Sequence, residues 1–325
     1  MSKCKYTSIG GQALIEGIMM KSPEKTAICV RMPDGSIDTS YMNERKLAQR
    51  CKIFGLPIIR GVVNFVEAML QGYKALMFAA EKSGFTDFEE ENEKPKTEKD
   101  QKKESALLNF IMVIGTVLGF ALAIVLFMYL PRLLVDGIEW ISSTKIDSKL
   151  LRSSIEQLIK LIVFVGYMWA VSFMKDIKRV FMYHGAEHKT IFCYEAKLPL
   201  TVENVRKQSR FHPRCGTSFM ILMILISVIV STVVQMIFPA VYTIKWLWVV
   251  AKILMIPFIC GIGYEVLKSC GKYDNFITRI ISAPGLWLQR ISTKEPSDDM
   301  IEIAIAALKA CEPQVPDVER SDDNI

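Results

Sequence analysis

Three side chains able to ligate a metal or move a proton crowd into "FMYHGAEHKTIFCYE" (181–195): His184, Glu187 and His188. The chain has only three histidines, and the third, His212, follows in "RFHPRCGTSF" beside Arg214 and Cys215. If residues 180–190 are helical, His184 and His188 stand one turn apart on one face. That spacing lets two imidazoles reach one tetrahedral metal ion. His-x-x-Glu-His is also the order of the inverted zincin motif, whose glutamate is the general base acting on metal-activated water. Gly185, between the histidines, weakens such a helix by roughly 1 kcal/mol relative to alanine.

A catalytic zinc needs a third protein ligand and an open position, and His212, Cys215, Glu195 and Glu265 are the candidates. Pro213 suits the first turn of a helix, which places Cys215 near a helix N-terminus. The helix dipole and Arg214 would lower its thiol pKa, as a metal ligand or a thiolate nucleophile requires. The expected catalytic groups are therefore Glu187, Cys215 and Arg214. The expected metal ligands are His184, His188, His212, Cys215 and Glu265, around a divalent ion, zinc by choice. A buried polar network, or a grip on lipid headgroups beside Lys189 and Arg214, is the competing reading of the same residues.

Apolar helices must position this block. The chain is 51% hydrophobic with mean hydropathy +0.26. "LLNFIMVIGTVLGFALAIVLFMYL" (107–130) and "FMILMILISVIVSTVVQMIF" (219–238) carry no charge and are long enough to span a bilayer. Segments 158–174 and 246–264 are weaker candidates. Lys160 lies near one end of the first, where it can snorkel. Lys252 lies inside the second, where snorkelling toward the Trp246/Trp248 end is preferred over a functional intramembrane charge, and Pro257 should kink that helix. The opening residues carry no apolar run of signal-peptide type. Four spans put both termini on one side. Lys and Arg number five in 94–103, nine in 175–218 and seven from 265 onward, against five in the opposite connections. The positive-inside rule then makes the termini and the 175–218 loop cytoplasmic. None of the eight cysteines falls in a predicted external loop and none forms a CxxC pair, which fits reduced thiols. No basic stripe with interleaved aromatics is present, so nucleic acid is not an expected partner.

Outside the spans, residues 1–88 form a mixed α/β region. "TAICVRMPDGSI" predicts strand, turn and strand. "GVVNFVEAMLQGYKALMFAAEK" is amphipathic, with Val62, Phe65, Val66, Met69, Leu70, Tyr73 and Leu76 on one face, and either the membrane or the cytosolic domain could take that face. Residues 89–106 are nearly all charged up to the first span and predict a disordered linker. Segment 265–325 holds an interfacial stretch (276–291) broken at Pro284-Gly285, then a helix over 298–311 with Ser297 as N-cap. Depth poses a problem: on a straight helix His184 would lie about 15 Å beyond Met174, whereas Cys215 would lie about 6 Å from the start of the next span. The two can meet only if the helix breaks or the 190–211 hairpin folds back.

"GGQALIEGIMM" (10–20), "LPIIRG" (56–61), "YHGAEHK" (183–189), "HPRCGTSF" (212–219), "YE" (264–265) and "PGLWLQ" (284–289) together resemble the YqhQ-like family of bacterial integral membrane proteins. That family has no assigned function and is often described as predicted metal-dependent enzymes. The resemblance runs over most of the chain in order. It points to His184, Glu187, His188, His212, Arg214, Cys215 and Glu265, and it raises Glu16 and Gly17 as possible neighbours of the site.

The expectation is an α-helical integral membrane protein of about four spans with a small mixed α/β cytoplasmic region. Its expected activity is metal-dependent hydrolysis at the membrane–cytosol interface of a bacterial cytoplasmic membrane. The rival is a non-catalytic scaffold or biogenesis factor whose polar block is structural or binds a partner. The lipid bilayer is the expected partner, with a membrane-protein partner or a second copy also open. A transporter ranks lower, since four spans with Lys252 as the internal charge offer little to line a polar pathway unless the protein oligomerises.

Overall fold

The computed structural model describes residues 7, 9–42, 52–84, 98–143, 146, 148–273 and 275–312. It begins with an antiparallel meander: β1 (Gly10–Leu14), β2 (Gly17–Lys21), β3 (Thr26–Arg31) and β4 (Ile37–Met42) in spatial order. Leu14 pairs with Gly17 across a two-residue turn, and Glu16 takes a left-handed φ of 49° there. The third turn, between β3 and β4, carries Gly35 at φ 86°, a conformation that favours glycine. The strand–turn–strand reading of 26–37 thus matches β3 and β4.

Alternation along the strands sends side chains to two covered faces. Ile18, Met20, Ala27 and Cys29 pack against α5 (Lys175–Glu195) and α11 (Asp298–Cys311). Leu14, Met19, Ile28 and Val30 pack against Ala75 and Ala79 of α1 (Ile59–Lys82). Burying Ile301, Ile303 and Leu308 of α11 contributes roughly 1.5–3 kcal/mol each. Ser297 is the N-cap of α11, as its position suggests, but its side chain makes no cap bond.

Of the two surroundings open to the apolar face of α1, the packed body does not take most of it. Gly61, Glu67, Gln71, Gly72 and Ala75 are buried, whereas Val66, Met69, Leu70 and Tyr73 are exposed. Small residues permit this docking: a Cβ on Gly61 would lie 2.9 Å from the Gly261 Cα. The Arg60 guanidinium grips Glu265 through Nε at 2.6 Å and Nη2 at 2.5 Å, and Asn64 donates to the Tyr264 hydroxyl at 2.9 Å.

Four stretches are long and apolar enough to cross a membrane: Val113–Ser142, Leu151–Val171, Gly216–Ile237 and Leu247–Lys272. The first joins α2 (Glu98–Ile124), a π-helical turn (Val125–Tyr129) and α3 (Leu130–Ser142). It runs past the expected end at 130 because the π turn just before Pro131 absorbs the missing amide bond. The others are α4 (Lys149–Val171), α7 (Gly216–Ile237) and α9 (Lys245–Lys272), the last helical through Pro257. Short helices α6 (Val202–Arg206) and α8 (Pro239–Thr243) complete the connections, and α10 (Phe276–Ser292) continues through Pro284 where a break was expected. Residues 89–97 of the expected linker lie outside the described residues; from Glu98 the chain is helical. Lys160 stands eleven residues from either end of α4, not near an end.

Candidate metal centre

Helix α4 stops at Val171, and Met174, at ψ 134°, turns the chain into α5. This break removes the depth mismatch between the histidines and Cys215. Thr201 caps α6 and the chain returns through 207–214 to Cys215, which is itself the N-cap of α7 and accepts the Thr217 N–H at 3.4 Å.

The result is a compact ligand set. One ligand atom from each of His184, His188 and Cys215 lies within 4.8 Å of the other two. His184 sets Nε2 3.1 Å from the Cys215 Sγ, while its Nδ1 lies 2.8 Å from the Ser292 carbonyl oxygen. His188 sets Nδ1 2.5 Å from the Arg210 carbonyl oxygen, and it offers a ring nitrogen within 4.8 Å of the Cys215 Sγ. A backbone carbonyl accepts only from N–H, so both rings carry a proton on Nδ1, which leaves Nε2 as the atom each can offer to a metal. Ligating histidines are oriented by such contacts at the other nitrogen.

Electrostatics follow from this crowding. Burial opposes charge on His184, but the adjoining sulfur and its hydrogen bond push the imidazole pKa up to about 9. Burial likewise opposes a Cys215 thiolate, yet the two histidines hold its pKa well below the usual thiol value. Glu187 is 5% exposed, and burial raises its carboxyl pKa against the pull of His188 and His184. The Gly11 backbone N–H bonds to this carboxyl, and a Cβ on Gly11 would lie 2.8 Å from the Glu187 Cγ. Strand β1 therefore needs glycine to lie against Glu187. A groove of about 440 Å³ between the first hairpin and α1 reaches Gly11 from its open side.

Other expected residues stand apart from this set. His212 packs beside it, 5.5 Å from the His188 ring centre, with Nε2 turned toward Glu195 at 3.9 Å. Arg214 bonds to Glu195 and donates to the Thr7 carbonyl at 2.6 Å, lying along Gly271. These contacts give Arg214 a positioning geometry rather than a catalytic one. Glu265, taken up by Arg60, does not join the cluster. Glu16 bonds bidentately to Arg179 and accepts from the Tyr183 hydroxyl at 3.1 Å, which fastens the first hairpin to α5 one residue before His184.

Gln289 is the positioning residue that motif reading missed. Fully buried, it accepts the His212 N–H at 2.7 Å, donates to the His212 carbonyl at 2.7 Å and reaches the Ser218 hydroxyl at 2.8 Å. The only signal for it was its place in "PGLWLQ", where Gly285 also lets α10 approach Ser218. Gly185, an apparent weakness in α5, exists because a Cβ there would overlap the Lys294 carbonyl oxygen.

Fold and cluster define a helical protein with four helices of membrane-crossing length and a His–His–Cys set on a small α/β body. Residues 56–314 match the family described as "Protein of unknown function (DUF1385)". The chain is 38% identical over 309 residues to the uncharacterized protein YqhQ of Bacillus subtilis (strain 168), covering 94% of this chain and 92% of that protein. The chain belongs to this YqhQ-like family. No solved structure matches it.

Proposed function

We propose that the protein is a metal-dependent hydrolase working where its four crossing helices meet the cytosol, with His184, His188 and Cys215 holding a divalent ion. One observation carries this reading: two imidazoles, each anchored at Nδ1 by a backbone carbonyl, converge on one cysteine sulfur. Two nitrogens and a thiolate with a position left over suit catalytic zinc. Bound there, the ion would supply Lewis acidity toward water and toward an acyl or phosphoryl oxygen. Glu187 is the base: its carboxyl is held by the Gly11 N–H and sheltered from bulk water, which suits a group that takes and returns a proton. Arg214 and His212 brace the loop that presents Cys215. The positive-inside distribution puts this end of α7 on the cytoplasmic side.

The lowered Cys215 pKa at a helix N-terminus favours a second reading, a thiolate nucleophile with His184 as its partner. A dyad uses one imidazole, however, and here a second stands within 4.8 Å of the same sulfur. Metal content of protein purified without chelators or a histidine tag tests the choice. Wild type should carry stoichiometric metal that His184→Ala and His188→Ala lose, and Glu187→Gln should keep the metal but lose cellular function. Metal-free wild type would sink the proposal, and Glu187→Gln with intact function would make the ion structural.

A further inference from the structure

A second site lies elsewhere in the helical bundle. Helices α3, α4, α7 and α9 with the π turn enclose a cavity of about 350 Å³. On α7 its lining runs from Met223 to Ser231, roughly 12–24 Å along the helix from Cys215. The walls are largely apolar, but Arg132, Lys160 and Lys252 line them against a single carboxylate, Glu156.

That imbalance is not relieved locally. Arg152, outside the cavity lining, bonds to Glu139 and Asp136 and reaches Glu156 at 3.7 Å. Neither lysine has a hydrogen bond or ion pair among the described residues; Lys252 sits 5.4 Å from the Trp248 ring centre. Gln157, also in the lining, has its carbonyl oxygen buried without a partner. Lys160 lines the cavity one turn beyond Glu156 and two turns beyond Arg152 on α4, so its charge stands with the polar residues at that end of the helix. Charges placed inside crossing helices mark binding sites or pathways by default.

We propose that this cavity binds the headgroup of an anionic phospholipid. Its phosphate takes the Arg132, Lys160 and Lys252 charges, the Gln157 amide bonds to a headgroup polar atom, and the acyl chains leave between the helices into the bilayer. The volume suits a headgroup and not a whole lipid, and a net surplus of two positive charges selects an anion over a zwitterion. The proposal rests on the crossing of the membrane by these four helices, which resistance of the protein to alkaline carbonate extraction tests separately.

Native mass spectrometry of protein released from nanodiscs of mixed phosphatidylglycerol and phosphatidylcholine reads the site. Wild type should retain phosphatidylglycerol selectively. The double variant Lys160→Gln/Lys252→Gln should lose about tenfold of that selectivity, as expected for two charge-assisted contacts in low dielectric. Lys160→Arg/Lys252→Arg should keep it, and Lys175→Gln/Lys178→Gln at the start of α5 should leave it unchanged. Equal retention of both lipids by wild type, loss in the α5 control equal to that in the cavity variant, or displacement of the lipid by millimolar inorganic phosphate would each overturn the proposal. Loss in the arginine variant as well would also overturn it, since charge would then not be what the site reads.

Discussion

The two halves of α7 meet opposite surroundings. At its N-terminal end almost every polar group is engaged: His184 and His188 by carbonyls, the His212 backbone by Gln289, and Arg214 by Glu195 and Thr7. Farther along, Lys160 and Lys252 line a cavity with no hydrogen bond or ion pair among the described residues, and the Gln157 carbonyl oxygen beside them is buried without a hydrogen-bond partner. A saturated network fixes geometry and suits chemistry that depends on tenths of an ångström, whereas an unsaturated one suits a ligand that brings its own partners.

The largest expected effect is at the saturated end. Gly185→Ala should destabilise the protein by about 3 kcal/mol or more, because a backbone carbonyl cannot move aside as a side chain can. Gly166→Ala in α4, where a Cβ meets nothing within 4 Å, should shift stability by less than about 1 kcal/mol and in the favourable direction. Thermal unfolding in one detergent compares the pair, and equal effects would show that the Lys294 carbonyl does not exclude a side chain at residue 185.

Gln289→Leu comes next. It strands the His212 N–H and carbonyl in a buried site, at a cost of about 1–3 kcal/mol per lost partner. If the metal reading holds, the displaced Cys215 loop should also weaken metal retention by about 10–100-fold, read by chelator competition. Unchanged retention would mean that the clamp on His212 does not position Cys215.

The smallest effect is acid-dependent. Burial works against Glu195, but His212, Arg214 and the Thr7 N–H hold its carboxyl pKa down to about 2 from an ordinary 4.5. A depressed pKa stabilises the fold above the unfolded value and loses that contribution as pH falls from about 4.5 toward 2. Glu195→Gln should therefore be less stable than wild type at pH 7, with the difference closing across that window. A constant difference would show that the charge on Glu195 contributes nothing.

Much of this was legible in residue order. Period-2 alternation marked β3 and β4, uncharged runs marked the crossing helices, and the i, i+4 histidines marked one face of α5. Face choice was not legible for α1. Its apolar stripe suits the membrane or the cytosolic domain equally, and glycines and Gln71 turn inward because the sheet and α9 approach too closely for Val66 or Leu70. Hydropathy likewise located the apolar segment of α4 but not the helix start at Lys149, eleven residues before Lys160.

The sequence by itself determined which groups could do chemistry and that two of them share a helix face, since helical periodicity is a local property of the chain. Only the tertiary structure decided that Cys215 and not Glu265 completes the set. That choice depends on the break at Ser172–Met174 and the fold-back of 196–214. It depends equally on an arginine more than two hundred residues away claiming the Glu265 carboxylate. Contacts at such separation follow from packing, which no local spacing encodes.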